Sequence, residues 1–247
     1  MSDPAPLPLL SVVVPVRNEV GNVAPLIADI EKSCAPIGAF EVIYVNDGST
    51  DGTAEALVTL AAEKPFLRIV THAQSCGQSA AVRTGVRHAR APIVATLDGD
   101  GQNDPAFLPQ MLAALQEGGL DAGLVQGQRV GRKDTGFKRM QSRIANAVRV
   151  RVLKDGTRDT GCGLKCFRRE AYLALPYFDA LHRFMPALMV REGYRVLHAE
   201  VRDRPRLTGV SNYGFFDRLW VGILDLAGVW WLIRRRRTVP QIVPETR

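Results

Sequence analysis

The stretch VATLDGDGQNDP, residues 94–105, ends a β-branched apolar run in two aspartates one residue apart. At a strand end, Asp98 and Asp100 can both face one hard cation, and Gln102 follows close behind. Oxygen ligands at this density suit magnesium or manganese, held by one or two carboxylates plus substrate phosphates. An ion so held would neutralise a diphosphate leaving group. Two other readings stand beside this one. A solvated Asp-Gly turn needs no ligand. An EF-hand would take calcium, but here the glycine is misplaced and no glutamate sits at the twelfth position.

Three more polar clusters each follow an apolar run. Pro15, Arg17, Asn18 and Glu19 come at and after SVVVPV, Asp47, Gly48 and Ser49 after FEVIYVN, and His72 and Gln74 at the end of LRIVTH. Each alone fits an ordinary turn. NDGSTDGT is good helix-start chemistry, because Asp and Ser accept backbone N–H bonds at a cap. Four such loops on one edge point to a ligand, since open parallel sheets bind beyond the carboxyl ends of their strands. There is no GxxxxGKS or GxxxxGKT, and no GxGxxG after the first run. P-loop NTPases and dinucleotide oxidoreductases are therefore disfavoured.

The elements that must position these loops alternate in type. LLSVVVPV, FEVIYVN, LRIVTH, PIVATLD and DAGLVQGQ have the short apolar character of buried parallel strands. Between them EVGNVAPLIADIEKSC, AEALVTLAAEK, GQSAAVRTGVRHAR and DPAFLPQMLAALQEG carry helical spacing. This order predicts an α/β domain with a mostly parallel sheet. The second half is less regular: a basic helix GFKRMQSRIANAVRVRVL, a polar loop KDGTRDTGCGLKCFRRE returning to a strand, the strand YRVLHAEV and the loop RDRPRLTGVSNYG.

The 247 residues are 46% hydrophobic and 23% charged, enough to bury a sizeable core, with net charge +7. Cys34, Cys76, Cys162 and Cys166 include no paired CxxC, so reduced structural thiols are expected rather than zinc. Residues 1–8 lack a basic start and a small-residue cleavage site and read as a disordered lead, not a signal peptide.

Together SVVVPVRNE, VNDGSTDGT, TLDGDGQNDP, GQR, RDTGCGLKCFRRE and HRFMPALMVREGYRV resemble family 2 glycosyltransferases of the GT-A fold, a Rossmann-like arrangement. Within them the chain is most similar to the dolichol-phosphate mannosyltransferase group, whose bacterial members glycosylate polyprenyl phosphates. The resemblance spans residues 9 to about 213. It implies a nucleotide-sugar donor (GDP- or UDP-linked, mannose or a similar hexose), Mg2+ or Mn2+, and inversion at the anomeric carbon. Pro15, Arg17 and Glu19 would line the nucleoside pocket, with Asp47 on the base and Gln74 and Gly77 nearby. Asp98, Asp100 and Gln102 match the metal ligands. Arg129 would face a donor or acceptor phosphate, Arg139 and Ser142 the lipid phosphate, and Arg206 would close over the diphosphate. Asp159 matches the acidic residue near the reacting centre. Asn46, Gly99, Gly101 and Asn212 depart from the family's usual residues.

A phosphate monoester has a second pKa of about 6 and is already a nucleophile at pH 7. Asp159 is therefore expected to orient groups rather than take a proton. Arginines cluster in the second half, five of the basic residues (Lys138, Arg139, Arg143, Arg149, Arg151) on one predicted helix. The charge suits phosphate, and with no recognition motif or interleaved aromatics, nucleic acid is not expected. LWVGILDLAGVWWLI, residues 219–233, would make a helix of about 22 Å at ~1.5 Å per residue, short of a ~30 Å hydrocarbon core. With four arginines behind it, residues 214–247 are expected to lie on anionic lipid at the cytoplasmic membrane face, or else to pack on the domain. Any further anchor would be a partner membrane protein. Rival readings are a transferase acting on a lipid or saccharide hydroxyl, and a catalytically idle membrane adaptor.

Overall fold

The computed structural model describes residues 7–130, 149–205 and 215–235. A seven-stranded sheet runs through it in the order β3-β2-β1-β4-β6-β5-β7. The strands are β1 (Leu10–Val16), β2 (Phe40–Asp47), β3 (Leu67–His72), β4 (Ile93–Thr96), β5 (Ala122–Arg129), β6 (Lys165–Arg168) and β7 (Arg195–Val201). All neighbours pair parallel except β6, which runs antiparallel to both β4 and β5. The predicted α/β class and mostly parallel sheet are what the chain adopts.

The apolar runs are continuous because both sheet faces are covered. Along β1, Leu10, Val12, Val14 and Val16 enter one core cluster while Val13 enters the other. On the first face lie α1 (Val20–Cys34), α2 (Thr53–Glu63) and α4 (Leu108–Glu117), and on the second lie α3 (Gln78–His88), α5 (Arg169–Ala174) and α6 (Leu181–Arg191). The small residues of α3 have a reason. A Cβ on Gly85 would come within 2.3 Å of Val13 Cγ1, so this helix rides unusually close to the sheet.

Three boundaries differ from expectation. β4 stops at Thr96, so Asp98 and its neighbours form a turn rather than a strand end. DPAF forms a short 3-10 turn whose start is capped by the Asp104 carboxylate on the Ala106 N–H at 2.9 Å, and α4 begins only at Leu108. The C-terminal helix α7 (Phe215–Arg235) has 21 residues rather than fifteen. Leu226, Val229 and Ile233, at helical spacing, pack on the second core cluster, and the Arg191 guanidinium donates to the Leu232 carbonyl at 3.2 Å. Ile223, Leu224, Trp230 and Trp231 are exposed. α7 thus carries a packed face and an uncovered apolar face.

Candidate active site

Beyond the carboxyl ends of β1, β2 and β4 lie two cavities. The open one has a volume of about 300 Å3 and is lined by Pro15, Arg17, Glu19, Asp47, Gly77 and Asp100 among others. The enclosed one is about 210 Å3. They share Pro15, Gln78 and Asp98, so Asp98 stands at the joint between them.

The turn at Asp98 is tightly specified. Its N–H donates to Asn103 Oδ1 at 2.9 Å, and its Oδ1 accepts from Gln78 Nε2 at 2.8 Å. The Gln102 N–H donates to Asp100 Oδ1 at 3.1 Å, and the Gln102 carbonyl accepts from the Arg204 N–H. Both glycines of this turn, which depart from the family's usual residues, have a structural cause. A Cβ on Gly99 would lie 2.8 Å from the Pro15 carbonyl oxygen, and Gly101 has φ +73°, in the left-handed region. Burial, then the neighbouring Asp100 charge, raises the Asp98 pKa to about 6. A half-buried carboxylate whose direct partner is a neutral amide, beside a second carboxylate, fits a hard divalent cation. The Gln102 side chain, with no hydrogen bond among the described residues, is available as a third ligand.

Asp47 plays a different part. Its carboxylate accepts from His72 Nδ1 (2.7 Å), Ser75 Oγ (2.8 Å), Cys76 N–H (2.8 Å) and Gly77 N–H (2.9 Å). Burial pushes this carboxyl up, but the donors outweigh it and hold its pKa below the usual carboxylate value. Asp47 therefore clamps the 75–77 loop against β2 while lining the open cavity. Asp47, His72 and Cys76 also place ligand atoms within 4.8 Å of one another. Each Asp47 oxygen already accepts two hydrogen bonds, so the clamp satisfies this cluster without an ion. Gln74 is exposed and outside the lining of both cavities, while Gly77, expected beside it, lines the open cavity together with Ser75.

The first two loops are zipped together. Asn18, at φ 55°, accepts the Thr50 N–H at 2.8 Å and donates its own N–H to Ser49 Oγ at 3.0 Å. Buried Asn46 accepts the Ser49 N–H at 3.1 Å. The Asp51 carboxylate accepts the N–H of Thr53, the first residue of α2, at 2.9 Å, so the segment that puts Asp47 in the cavity wall also supplies helix-start chemistry.

Asp159 and Arg129 form a bidentate pair at 2.6 and 2.9 Å, and Arg129 also reaches Asp203 at 3.4 Å. Burial lowers the Arg129 pKa, but Asp159 more than compensates and raises it. The expectation that Arg129 meets a phosphate directly thus finds it already shared by two carboxylates. Two buried glutamines of β5 hold this loop. Gln128 Oε1 accepts the Asp159 N–H at 3.1 Å, and Gln126 Nε2 donates to the carbonyls of Asp159 and Cys162. Arg139, Ser142 and Arg206 lie outside the described residues.

The basic half is less available than its sequence implied. Arg149 is buried against Asp155, Arg168 and Arg169 donate to backbone carbonyls, and Arg204 pairs with Asp29 and Asp104. These arginines hold the fold together and do not form a free phosphate patch. Cys34, Cys162 and Cys166 are buried free thiols whose pKa values burial pushes up to about 12, 11 and 12, whereas Cys76 is exposed.

Sequence reasoning missed Gln78, Ser79, Gln126, Gln128, Lys165 and His182. The quoted segments GQSAAV and HRFMPAL contained Gln78, Ser79 and His182, but only the fold brings them to the cavities.

The glycosyl transferase family 2 profile matches residues 11–175. The chain belongs to glycosyl transferase family 2. This family member is 36% identical over 94% of its length to a dodecaprenyl-phosphate galacturonate synthase from Rhizobium johnstonii, covering 70% of that protein. It is 32% identical over 87% of its length to an undecaprenyl-phosphate 4-deoxy-4-formamido-L-arabinose transferase from Edwardsiella ictaluri, covering 66% of it. The chain thus spans about two thirds of the length of these relatives. Its fold matches that of a mannosyltransferase from Pyrobaculum calidifontis, solved with GDP-Man and Mn2+, at a TM-score of 0.67 and 23% identity, over 96% of this chain and 67% of that one. The expected GT-A architecture is therefore the observed one.

Proposed function

We propose that this family 2 transferase is an inverting, metal-dependent enzyme. It moves one sugar from a nucleoside diphosphate to a polyprenyl phosphate at the cytoplasmic membrane face. The observation that carries the reading is the position of Asp98, at the joint of two cavities with Asp100 in the same turn. A donor laid across that joint would put its nucleoside in the open cavity beside Arg17, Glu19 and Asp47, and its diphosphate at the two aspartates. Asp98, Asp100 and Gln102 would hold the cation, which supplies charge neutralisation to the leaving diphosphate.

An acceptor phosphate is anionic at neutral pH and attacks without a base. The Arg129–Asp159 pair supports this. A carboxylate engaged on both oxygens by a guanidinium is a poor proton acceptor and a good brace. That engagement disfavours a hydroxyl acceptor, which needs a base. The intact Asp98–Asp100 turn disfavours an idle adaptor. The sugar expected from the sequence resemblance is mannose or a similar hexose, and the named relatives move galacturonate and a formamido-arabinose.

Among the described residues no helix is long and apolar enough to cross a membrane. The exposed Ile223, Leu224, Trp230 and Trp231 of α7, followed by Arg234 and Arg235, support α7 as the part of the expected 214–247 segment that meets the membrane interface; residues 236–247 lie outside the described residues. The test is transfer of radiolabelled sugar from nucleoside diphosphate sugars to undecaprenyl phosphate with Mn2+, after a thermal-shift screen has named the nucleotide. Transfer to the lipid that disappears in Asp98→Ala supports the reading. Transfer only to saccharide hydroxyls, or none with any stabilising donor, refutes it.

A further inference from the structure

The enclosed cavity is lined by Asp98, Lys165, His182 and Arg183. The proposed function uses only the first. Lys165 is buried, and its ammonium donates to the Cys162 carbonyl and, at 3.5 Å, to that of Thr160. His182 Nδ1 meets Ser79 Oγ at 2.7 Å, and Ser79 sits in the first turn of α3. Nε2 is left as the ring's second polar atom. Burial first, then the Lys165 and Arg183 charges, pushes the His182 pKa down to about 3, so this imidazole is neutral at working pH. Arg183 is the exposed member. Its guanidinium has no ion pair or hydrogen bond among the described residues, and Asp225 of α7 lies within electrostatic reach without pairing.

Once Asp98 is matched to a divalent cation, the wall holds two fixed cations, a neutral imidazole and no further anion. A neutral sugar there would leave Arg183 with no anionic partner in the cavity wall, Asp225 lying within electrostatic reach but outside the lining. A sugar bearing a carboxylate would supply one, in the planar geometry that a guanidinium binds bidentately. The cavity's volume, about 210 Å3, suits one ring and little more.

We propose that the enclosed cavity receives the donor's sugar ring and that Arg183 selects a uronic acid, while His182, oriented by Ser79, reads a ring hydroxyl. This rests on the donor reading above and names its substrate class.

The test is calorimetric titration of the full chain with Mn2+, using two pairs that differ only at the sugar's C6: UDP-galacturonic acid against UDP-galactose, and GDP-mannuronic acid against GDP-mannose. UDP and GDP alone are the references. In the pair whose base the protein accepts, the uronate binds about tenfold tighter or more, the scale of one charge-assisted hydrogen bond. Arg183→Gln erases that preference and leaves nucleoside diphosphate binding unchanged, while Arg183→Lys keeps part of it. His182→Ala weakens both sugars of the pair alike. Equal binding of uronate and neutral hexose by the unaltered protein overturns the proposal. So does an Arg183→Gln variant that retains the preference but loses affinity for a short-chain polyprenyl phosphate, which would place Arg183 on the acceptor. If UDP and GDP themselves fail to bind, the donor reading fails first and takes this one with it.

Discussion

Gly163 offers a clean separation of function from stability. A Cβ built there would lie 2.2 Å from Asp98 Oδ2, 2.3 Å from its Cγ and 2.5 Å from Oδ1. Ordinary contact begins near 3.4 Å, so the Asp98 carboxylate must retreat by roughly 1 Å in Gly163→Ala. The obstructed atoms are the far end of a short side chain, so the fold can yield by turning it, and the loss of Tm is expected to be small. The site cannot yield in the same way. A misplacement of about 1 Å at reacting groups costs on the order of 100-fold, and a displaced ligand also weakens the cation. The expected result is a kcat/KM about 100-fold lower, with Mn2+ affinity reduced in calorimetric titration. Gly101→Ala is the control. Its Cβ would meet nothing closer than Asn22 Oδ1 at 4.0 Å, but the residue has φ +73°. It should lose about 1–2 kcal/mol of stability and keep its metal affinity. Unchanged Mn2+ affinity and turnover in Gly163→Ala would refute the view that Asp98 must stand where the structure puts it.

Asp98 has a folded pKa raised to about 6 from 3.8. The folded state therefore holds this proton more tightly than the unfolded chain does, and without metal its contribution to stability falls as pH rises from about 4 to about 6. Chemical denaturation of the protein and of Asp98→Asn across that window should show this extra loss only in the former, with Mn2+ stabilisation growing as pH passes 6. Asp159→Asn is expected to slow turnover about tenfold or more with a pH–rate profile that stays flat around neutrality, and a new ionisation in that profile would count against an orienting role. Because Val229 is buried in the domain, deleting α7 would confound folding with binding. The double change Trp230→Ser and Trp231→Ser instead should cut affinity for anionic liposomes by about tenfold or more with Tm nearly unchanged. Full retention of liposome binding would remove the interfacial reading.

The donor side was legible because its information is local. Parallel strands buried on both faces read as apolar runs, and the turn after each begins where polarity begins, so the loops at Pro15, Asp47 and Asp98 could be placed on one edge from spacing alone. The other side depends on pairings between distant residues. Nothing local to Gln126 and Gln128 names their partner, yet both are buried and hold the Asp159 loop. α6 was hidden by Pro186 inside it, a residue that normally argues against a helix interior. Charge was legible in sign but not in partner. Arg149, Arg168, Arg169 and Arg204 look like a cationic patch in one dimension and are ties within the fold in three.

The reversal of β6 has a consequence for how such a protein can change. Because β6 runs against its neighbours, its first residue, Lys165, lies beside Thr96, the last residue of β4. A segment from much later in the chain is thereby delivered to the mouth of the earlier strands. The wall built from residues 10–105 and the wall that carries Asp159, Lys165 and Asp203 meet along this short ladder and again at the Asn103–Asp203 bridge, the Arg204–Gln102 hydrogen bond and the contact of Gly163 with Asp98. A change on either wall is felt by the other at these few points, so a lineage that alters what it receives must retune what it gives there.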